Sequence, residues 1–232
     1  MTESRHSLPE LPGVALRLRR SARARRFSLR VSRVDGEVTL TLPLRAPMGD
    51  AIAFARSQAD WLRRTLDRLP TAAAPAFGME LPFEGRLLRL TPAAVRAPRV
   101  EEGRLLLPAD PARLAPRLET FLKHCARIRL QAATERHAGA LGRPFRRITL
   151  RDTRSRWGSC AHDGSLSYSW RLIMAPVSVL DYVAAHEVAH LAEMNHSPAF
   201  WAVVARLRPD YAADRAWLKQ HGSTLHAIRF RD

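Results

Sequence analysis

The chain has 232 residues, 46% of them hydrophobic, enough to bury a real core, so a disordered chain is not the expectation. No apolar run reaches the roughly 20 residues needed to cross a bilayer, and the polar, proline-bearing start MTESRHSLPELPG lacks a signal peptide's apolar stretch, so a soluble cytoplasmic protein is expected. Cys125 and Cys160 lie far apart and form no CxxC pair, which argues against a disulfide framework or a cysteine-ligated zinc. The 38 Lys+Arg against 22 Asp+Glu give a net charge of +16, which admits nucleic acid as a partner. Only Lys123 and Lys219 are lysines, however, and a chain heavy in Arg, Ala, Leu and Pro fits composition bias as well as a binding face.

Residues 1–12 read as a flexible N-terminus. The segments 14–20, 26–33 and 37–42 alternate apolar and polar side chains, with Asp35-Gly36 as a hairpin signal between the last two. From about 50 to 69, Ile52, Phe54, Ala59, Leu62, Leu66 and Leu69 recur at helical spacing, and the Pro/Ala stretch 70–75 ends the helix. Strand-like runs follow around 80–90 and 95–107, with Pro98 and Glu102-Gly103 as turns. Residues 111–141 predict a long helix opened by Asp110-Pro111 and stopped by Gly142, its buried stripe drawn from Leu114, Leu118, Phe121, Leu122, Cys125, Ile128 and Leu130. No internal repeat is read. The expected organisation is α+β, with a β-rich region over 13–110 carrying one helix and a catalytic region over 111–232.

Beyond that helix the sequence predicts a strand at 145–152, the segment SRWGSC at 155–160, a turn at Asp163-Gly164 and a strand-like LSYSWRLIM. Ser178 with Asp181 three residues on reads as a capping box opening a helix. That helix carries His-Glu-x-x-His: at 100° per residue His186 and His190 differ by only about 40°, so one face offers both imidazoles to one ion. Glu187 lies beside them and is suited to act as general base on a metal-bound water.

A catalytic zinc takes three protein ligands and leaves one position open. On a continued helix His196 would lie about 9 Å beyond His190 and roughly 120° around, too far to converge. Asn195 and the N-cap pair Ser197-Pro198 break the helix, so His196 is the best third ligand, ahead of Asp210, Asp214 and Glu193. Chance yields about 0.02 such His-Glu-x-x-His motifs in a chain of this composition, so histidines on an ordinary helix are the weaker reading. Zinc is the expected cofactor because it suits three imidazoles.

RWGSC at 156–160, SWRLIMAP at 169–176, DYVAAHEVAHL at 181–191 and NHSPAFW at 195–201 together resemble the YgjP-like metal-dependent hydrolases, which are similar to SprT-like proteases and belong to the zincins. The resemblance is specific over about 120–222. It implies a zincin-like metallopeptidase domain whose sheet edge faces the cleft, with His186, His190 and His196 as ligands and Glu187 as catalyst; the substrate it leaves open, and the expected metal-assisted hydrolysis points to a peptide or protein. A +10 spacing from His186 to His196 is also similar to metzincins, but Glu193 stands where those have glycine.

Arg156, Trp157 and Ser159 form a candidate substrate cleft: an edge strand there would pair with an extended peptide while Arg156 meets a carboxylate or oxyanion. Packing is the stronger reading for Trp157, and core for Phe200, Trp201, Val204 and Leu207. His6, His124, His137, His162, His221 and His226 have no partner at ligand spacing, and most are expected in solvent. Tyr168, Tyr182, Tyr211 and His221 are unranked candidates for oxyanion stabilisation. The competing function is a nucleic-acid-binding protein, or a DNA-associated SprT-like protease, using the basic surface.

Overall fold

A computed structural model describes residues 4–32, 36–69 and 73–230. The chain divides into two compact units, Met1–Thr71 and Ala72–Asp232. Sheets dominate the first half of the chain and helices the second, the α+β class that the alternating and helical patterns predict.

In the first unit, β1 (Ser4–Ser7), β2 (Ala15–Ser21), β3 (Ser28–Val31) and β4 (Val38–Pro43) form one sheet in the order β1-β2-β4-β3. Strand β1 lies in the segment read as a flexible N-terminus, and the neighbouring Leu8 and Leu11 are buried. The β3–β4 hairpin forms with Val31 opposite Val38; of its predicted turn, Asp35 lies outside the described residues. The apolar positions of β2 and β4 (Leu16, Leu18, Val38, Leu40 and Leu42) point to one face and form the core with Ala51, Ala55 and Leu62. Those last three belong to α1 (Met48–Ser57) and α2 (Ala59–Asp67), two helices where the spacing predicts one, because the backbone leaves helical geometry at Gln58.

The second unit opens on β5 (Glu80–Phe83), β6 (Arg86–Ala93), β7 (Arg99–Glu101) and β8 (Arg104–Pro108), ordered β5-β6-β8-β7. Each of the two predicted strand-like runs holds two strands joined as a hairpin, because Glu84-Gly85 and Glu102-Gly103 both take positive φ, as a tight primed turn requires. The two four-stranded sheets share one topology: outer strands antiparallel, central pair parallel. The sequence does not expose this repeat, because beyond an acid-glycine pair before the last strand of each (Asp35-Gly36 and Glu102-Gly103) the two segments share little more than an alternating pattern.

A 3-10 turn over Pro111–Arg113 leads into α3 (Leu114–Leu141), which stops at Gly142 in left-handed geometry, as predicted. Leu114, Leu118, Leu122, Ala126 and Leu130 are its buried stripe; Ile128, expected among them, is 54% exposed. Next come β9 (Arg147–Arg151), β10 (Gly158–Cys160) and β11 (Ser165–Ser169), a sheet in the order β10-β11-β9 with β10 at one edge. Leu166 and Tyr168 turn one face inward, and the Tyr168 hydroxyl lies 3.1 Å from Thr134 of α3.

Helix α4 (Val177–Ala189) carries Val179, Leu180, Tyr182, Val183, Ala184, Ala185, Glu187, Val188 and Ala189 as buried residues, so it is enclosed on nearly every side. The expected capping box does not form: Pro176 is the N-cap and no side chain caps this helix. Asp181 instead takes the His137 imidazole at 2.9 Å and pairs with Arg136 and Arg208, which holds His137 in the interior and not in solvent. Burial opposes ionisation of Asp181, but the His137 contact and the two arginines outweigh it and hold its carboxyl below the ordinary range. Helices α5 (Pro198–Leu207) and α6 (Tyr211–His221) follow, and a C-terminal 3-10 turn over Gly222–His226 comes after them. Among the described residues no helix is long and apolar enough to cross a membrane.

Candidate metal centre and cleft

The His-Glu-x-x-His segment spans the last turn of α4. His186 is inside the helix, and His190 is its C-cap, so the helix ends sooner than the sequence suggests. The chain then turns through Leu191–Asn195. Asn195 does not adopt left-handed geometry; its side-chain oxygen accepts a 3.0 Å hydrogen bond from the Ser197 N–H, an Asx turn that redirects the chain. Ser197 caps α5 through Phe200 N–H, with Pro198 at the first position, as expected from the sequence. His196 sits between these two devices and returns toward α4.

The three imidazoles converge. Ring centroids lie 5.2 Å apart for His186–His190, 5.0 Å for His186–His196 and 4.9 Å for His190–His196. One nitrogen from each falls within 4.8 Å of the others, and the Nε2 atoms of His186 and His196 are 3.1 Å apart. The edge of a tetrahedron with zinc–nitrogen bonds is about 3.3–3.4 Å, so this spacing fits one small cation. Protonation states fit as well. Burial, helped by the neighbouring histidines and Arg215, pushes the His186 imidazole down to about 3, and burial also lowers His190; neutral imidazoles offer the lone pairs a metal needs. The Nδ1 of His190 lies 2.9 Å from the Glu193 carbonyl, to which it donates if Nε2 faces the ion. His186 Nδ1 is buried and has no hydrogen-bond partner among the described residues.

The alternative third ligands are placed elsewhere. Asp214 is engaged by Arg208 at 3.0 Å, and Glu193 contributes its carbonyl to His190. Neither they nor Asp210 join the three-histidine group. Phe200 is fully buried and lies 4.4–4.9 Å from all three imidazoles, so a residue read as core is also the floor of the site. Trp201 stacks on His196 at 5.9 Å.

Glu187, one residue on from His186, lies on the adjoining face of the helix, against β10. A Cβ on Gly158 would stand 2.5 Å from Glu187 Oε1 and 2.6 Å from its Cγ, so the carboxylate rests directly on the strand backbone. Only glycine permits this approach. Burial pushes the Glu187 carboxyl up to about 8, opposed by the positive charge of Arg156. A cation held by the histidines would favour the carboxylate further.

Of the predicted cleft residues, Arg156 is exposed beside Glu187, Ser159 lies in edge strand β10, and Trp157 packs. The Trp157 ring contacts His226 at 5.1 Å and covers Gly222, where a Cβ would come within 2.9 Å of it. His226 is therefore buried, and its imidazole is pushed down to about 4 by burial and by the nearby Arg171 charge. Arg171, itself buried, grips Asp152 at 2.6 Å and donates to the carbonyls of Leu225 and Ile228, fixing the start of the loop that enters β10.

Among the oxyanion candidates, Tyr168 is spent on Thr134 and the His221 ring lies against Trp217. Tyr182 sits edge-on to His186 at 5.9 Å, with burial pushing its phenol up to about 12, and Tyr211 stacks on Trp201 at 5.5 Å. Arg215 lies 4.5 Å over the Trp201 ring and was not singled out by the sequence. Its only sequence signal is position, one turn along α6 from Tyr211.

A family model for the YgjP-like metallopeptidase domain matches residues 25–221. The chain belongs to this family. The YgjP-like chain is accordingly a metallopeptidase, a metal-dependent hydrolase of peptide or protein. Among solved structures it is similar to the metallopeptidase zymogen of Pyrococcus abyssi abylysin at 20% identity, over 39% of this chain and 93% of that one, with a TM-score of 0.34. Comparison with curated proteins gives no match. None of these findings supports a nucleic-acid partner for the YgjP-like chain.

Proposed function

We propose that the protein is a zinc peptidase in which His186, His190 and His196 hold the ion and Glu187 is the catalytic base. The observation that carries this reading is the convergence of three imidazoles, two of them buried or half-buried and the exposed His196 closing the set, next in sequence to a buried carboxylate that is itself excluded from the ligand group. Zinc bound there would supply Lewis-acid polarisation of a carbonyl and acidify a water. Glu187 takes the proton from the attacking water and later delivers it to the leaving amine. Its place against Gly158 holds one carboxylate oxygen still while the other serves that exchange.

The substrate's main chain is positioned by β10. Hydrogen bonds between Trp157 and Ser169 and between Ala161 and Ser165 set the alternation of this hairpin, so the N–H and C=O groups of Gly158 and Cys160 are directed to the open edge. An extended peptide pairing there would lie across Glu187, which supports β-augmentation as the binding mode. Purified protein is expected to cleave a denatured protein such as casein, to lose that activity after dialysis against a chelator, and to regain it with about one equivalent of zinc. Cleavage that survives complete metal removal would overturn the proposal.

A further inference from the structure

The sheet that carries β10 has two faces of opposite character. Gly158, Leu166, Tyr168, Ile148 and Leu150 share the face turned to α3, α4 and Glu187. Ser159, Ser167 and Thr149 are paired in register on the opposite face, and Arg151 follows Thr149 by two residues on β9. On this outer side a depression of about 330 Å³ is lined by Arg151, Thr153, Arg156, Gly158, Ser159 and Ser167. Its charged groups are both guanidinium ions, and its remaining side chains are all hydroxyls. The Thr153 hydroxyl donates to the Arg156 carbonyl at 2.8 Å and so closes the loop that presents Arg156. Of the carboxylates around it, Asp152 is engaged by Arg171, Asp163 by Arg146, and Glu187 lies on the inner side of Gly158.

We infer that this depression is a specificity subsite that receives an aspartate or glutamate side chain of the substrate, one residue out of phase with those that face the metal. The inference rests on the peptidase reading above. A strand added at the edge of β10 alternates its side chains between the two faces of the sheet. Those on the inner face meet Glu187 and the histidines. Those on the outer face meet two cationic groups and a row of hydroxyls, a set that donates hydrogen bonds to a carboxylate and offers it no like charge. A lysine or arginine side chain in the same position would face two positive charges, with the carboxylate of Glu187 on the far side of Gly158 as the nearest negative group. Gly158, common to both faces, brings the subsite and the reacting carboxylate to within one residue of each other.

Cleavage of a mixed peptide library made from a digested proteome tests this. The wild type should show Asp and Glu enriched about tenfold at one position within about three residues of the cut bond, the size expected for a charge-assisted contact in a part-exposed site. The Arg151→Gln/Arg156→Gln double variant should lose that enrichment, and Arg151→Glu/Arg156→Glu should turn the preference toward Lys and Arg. Both variants should keep the metal content and melting temperature of the wild type, since the two side chains are exposed. A wild type that cuts the library without acidic preference, or a double Gln variant that retains it, overturns the subsite and leaves the peptidase reading intact. A wild type that cuts nothing in the library with metal bound overturns both.

Discussion

Replacing Glu187 with glutamine is expected to reduce peptide hydrolysis by roughly 10²–10⁴-fold while zinc content stays at the wild-type level. The size follows from losing one positioned general base, and a deeper loss is expected if proton delivery to the leaving amine is also slowed. Glutamine keeps the volume that rests on Gly158, and it removes a carboxyl that burial pushes up to about 8, so the variant should fold at least as well as the wild type. None of the three imidazoles loses a hydrogen bond, because Glu187 makes none to them. Single-turnover hydrolysis together with metal analysis separates the two quantities. Equal activity in a fully metallated Glu187→Gln protein would remove Glu187 from the mechanism.

The second large effect is expected at a residue with no reactive group. Gly158→Ala would drive a methyl to 2.5 Å from Glu187 Oε1 and 2.7 Å from its Cδ, far inside contact distance. The overlap is with a buried side chain on an enclosed helix, so the carboxylate must swing away or β10 must lift. A displacement of about 1 Å at the reacting group costs on the order of 10²-fold in rate. Gly158 is a positioning residue, and the fall should therefore appear in kcat with metal content unchanged. The Gly158→Ala, Glu187→Asp double variant provides a rescue: the shorter acid vacates the space the methyl takes, and part of the lost rate should return. A Gly158→Ala protein with wild-type kcat would show that the carboxylate is not held by this contact.

What the sequence made legible in the site was local. His186 and His190 share a helical face by spacing alone, and Ser197-Pro198 is an N-cap pair whose chemistry is complete within four residues. The break that returns His196 and the part of Asn195 in it are legible, but not the mode: Asn195 acts through its side-chain oxygen without left-handed geometry, and the helix already ends at His190. Contacts between distant segments were not legible. Gly158 meets Glu187, and His226 is buried under Trp157, only because β10 and the C-terminal turn are brought to α4 and to the loop before β10. His137 looked solvated for the same reason: its partner Asp181 lies 44 residues away. Asp181 was in turn misread as a capping residue, a role that Pro176 leaves unfilled by any side chain. The α+β class was readable from period-2 and period-3.6 patterns. The shared topology of the two four-stranded sheets was not, because strand order is fixed by pairing across the chain and leaves no trace in composition.

Metal analysis of the wild type and of His186→Ala, His190→Ala and His196→Ala, each expressed in full length and stripped and reloaded with zinc under identical conditions, tests the centre most directly. About one zinc per chain is expected for the wild type and a marked loss for each variant, since each removes one of the three proposed ligands. Asp214→Ala, whose carboxylate is engaged by Arg208, should retain the wild-type zinc. Full zinc in His196→Ala together with loss in Asp214→Ala would contradict the assignment of the third ligand and with it the geometry on which the proposed mechanism stands.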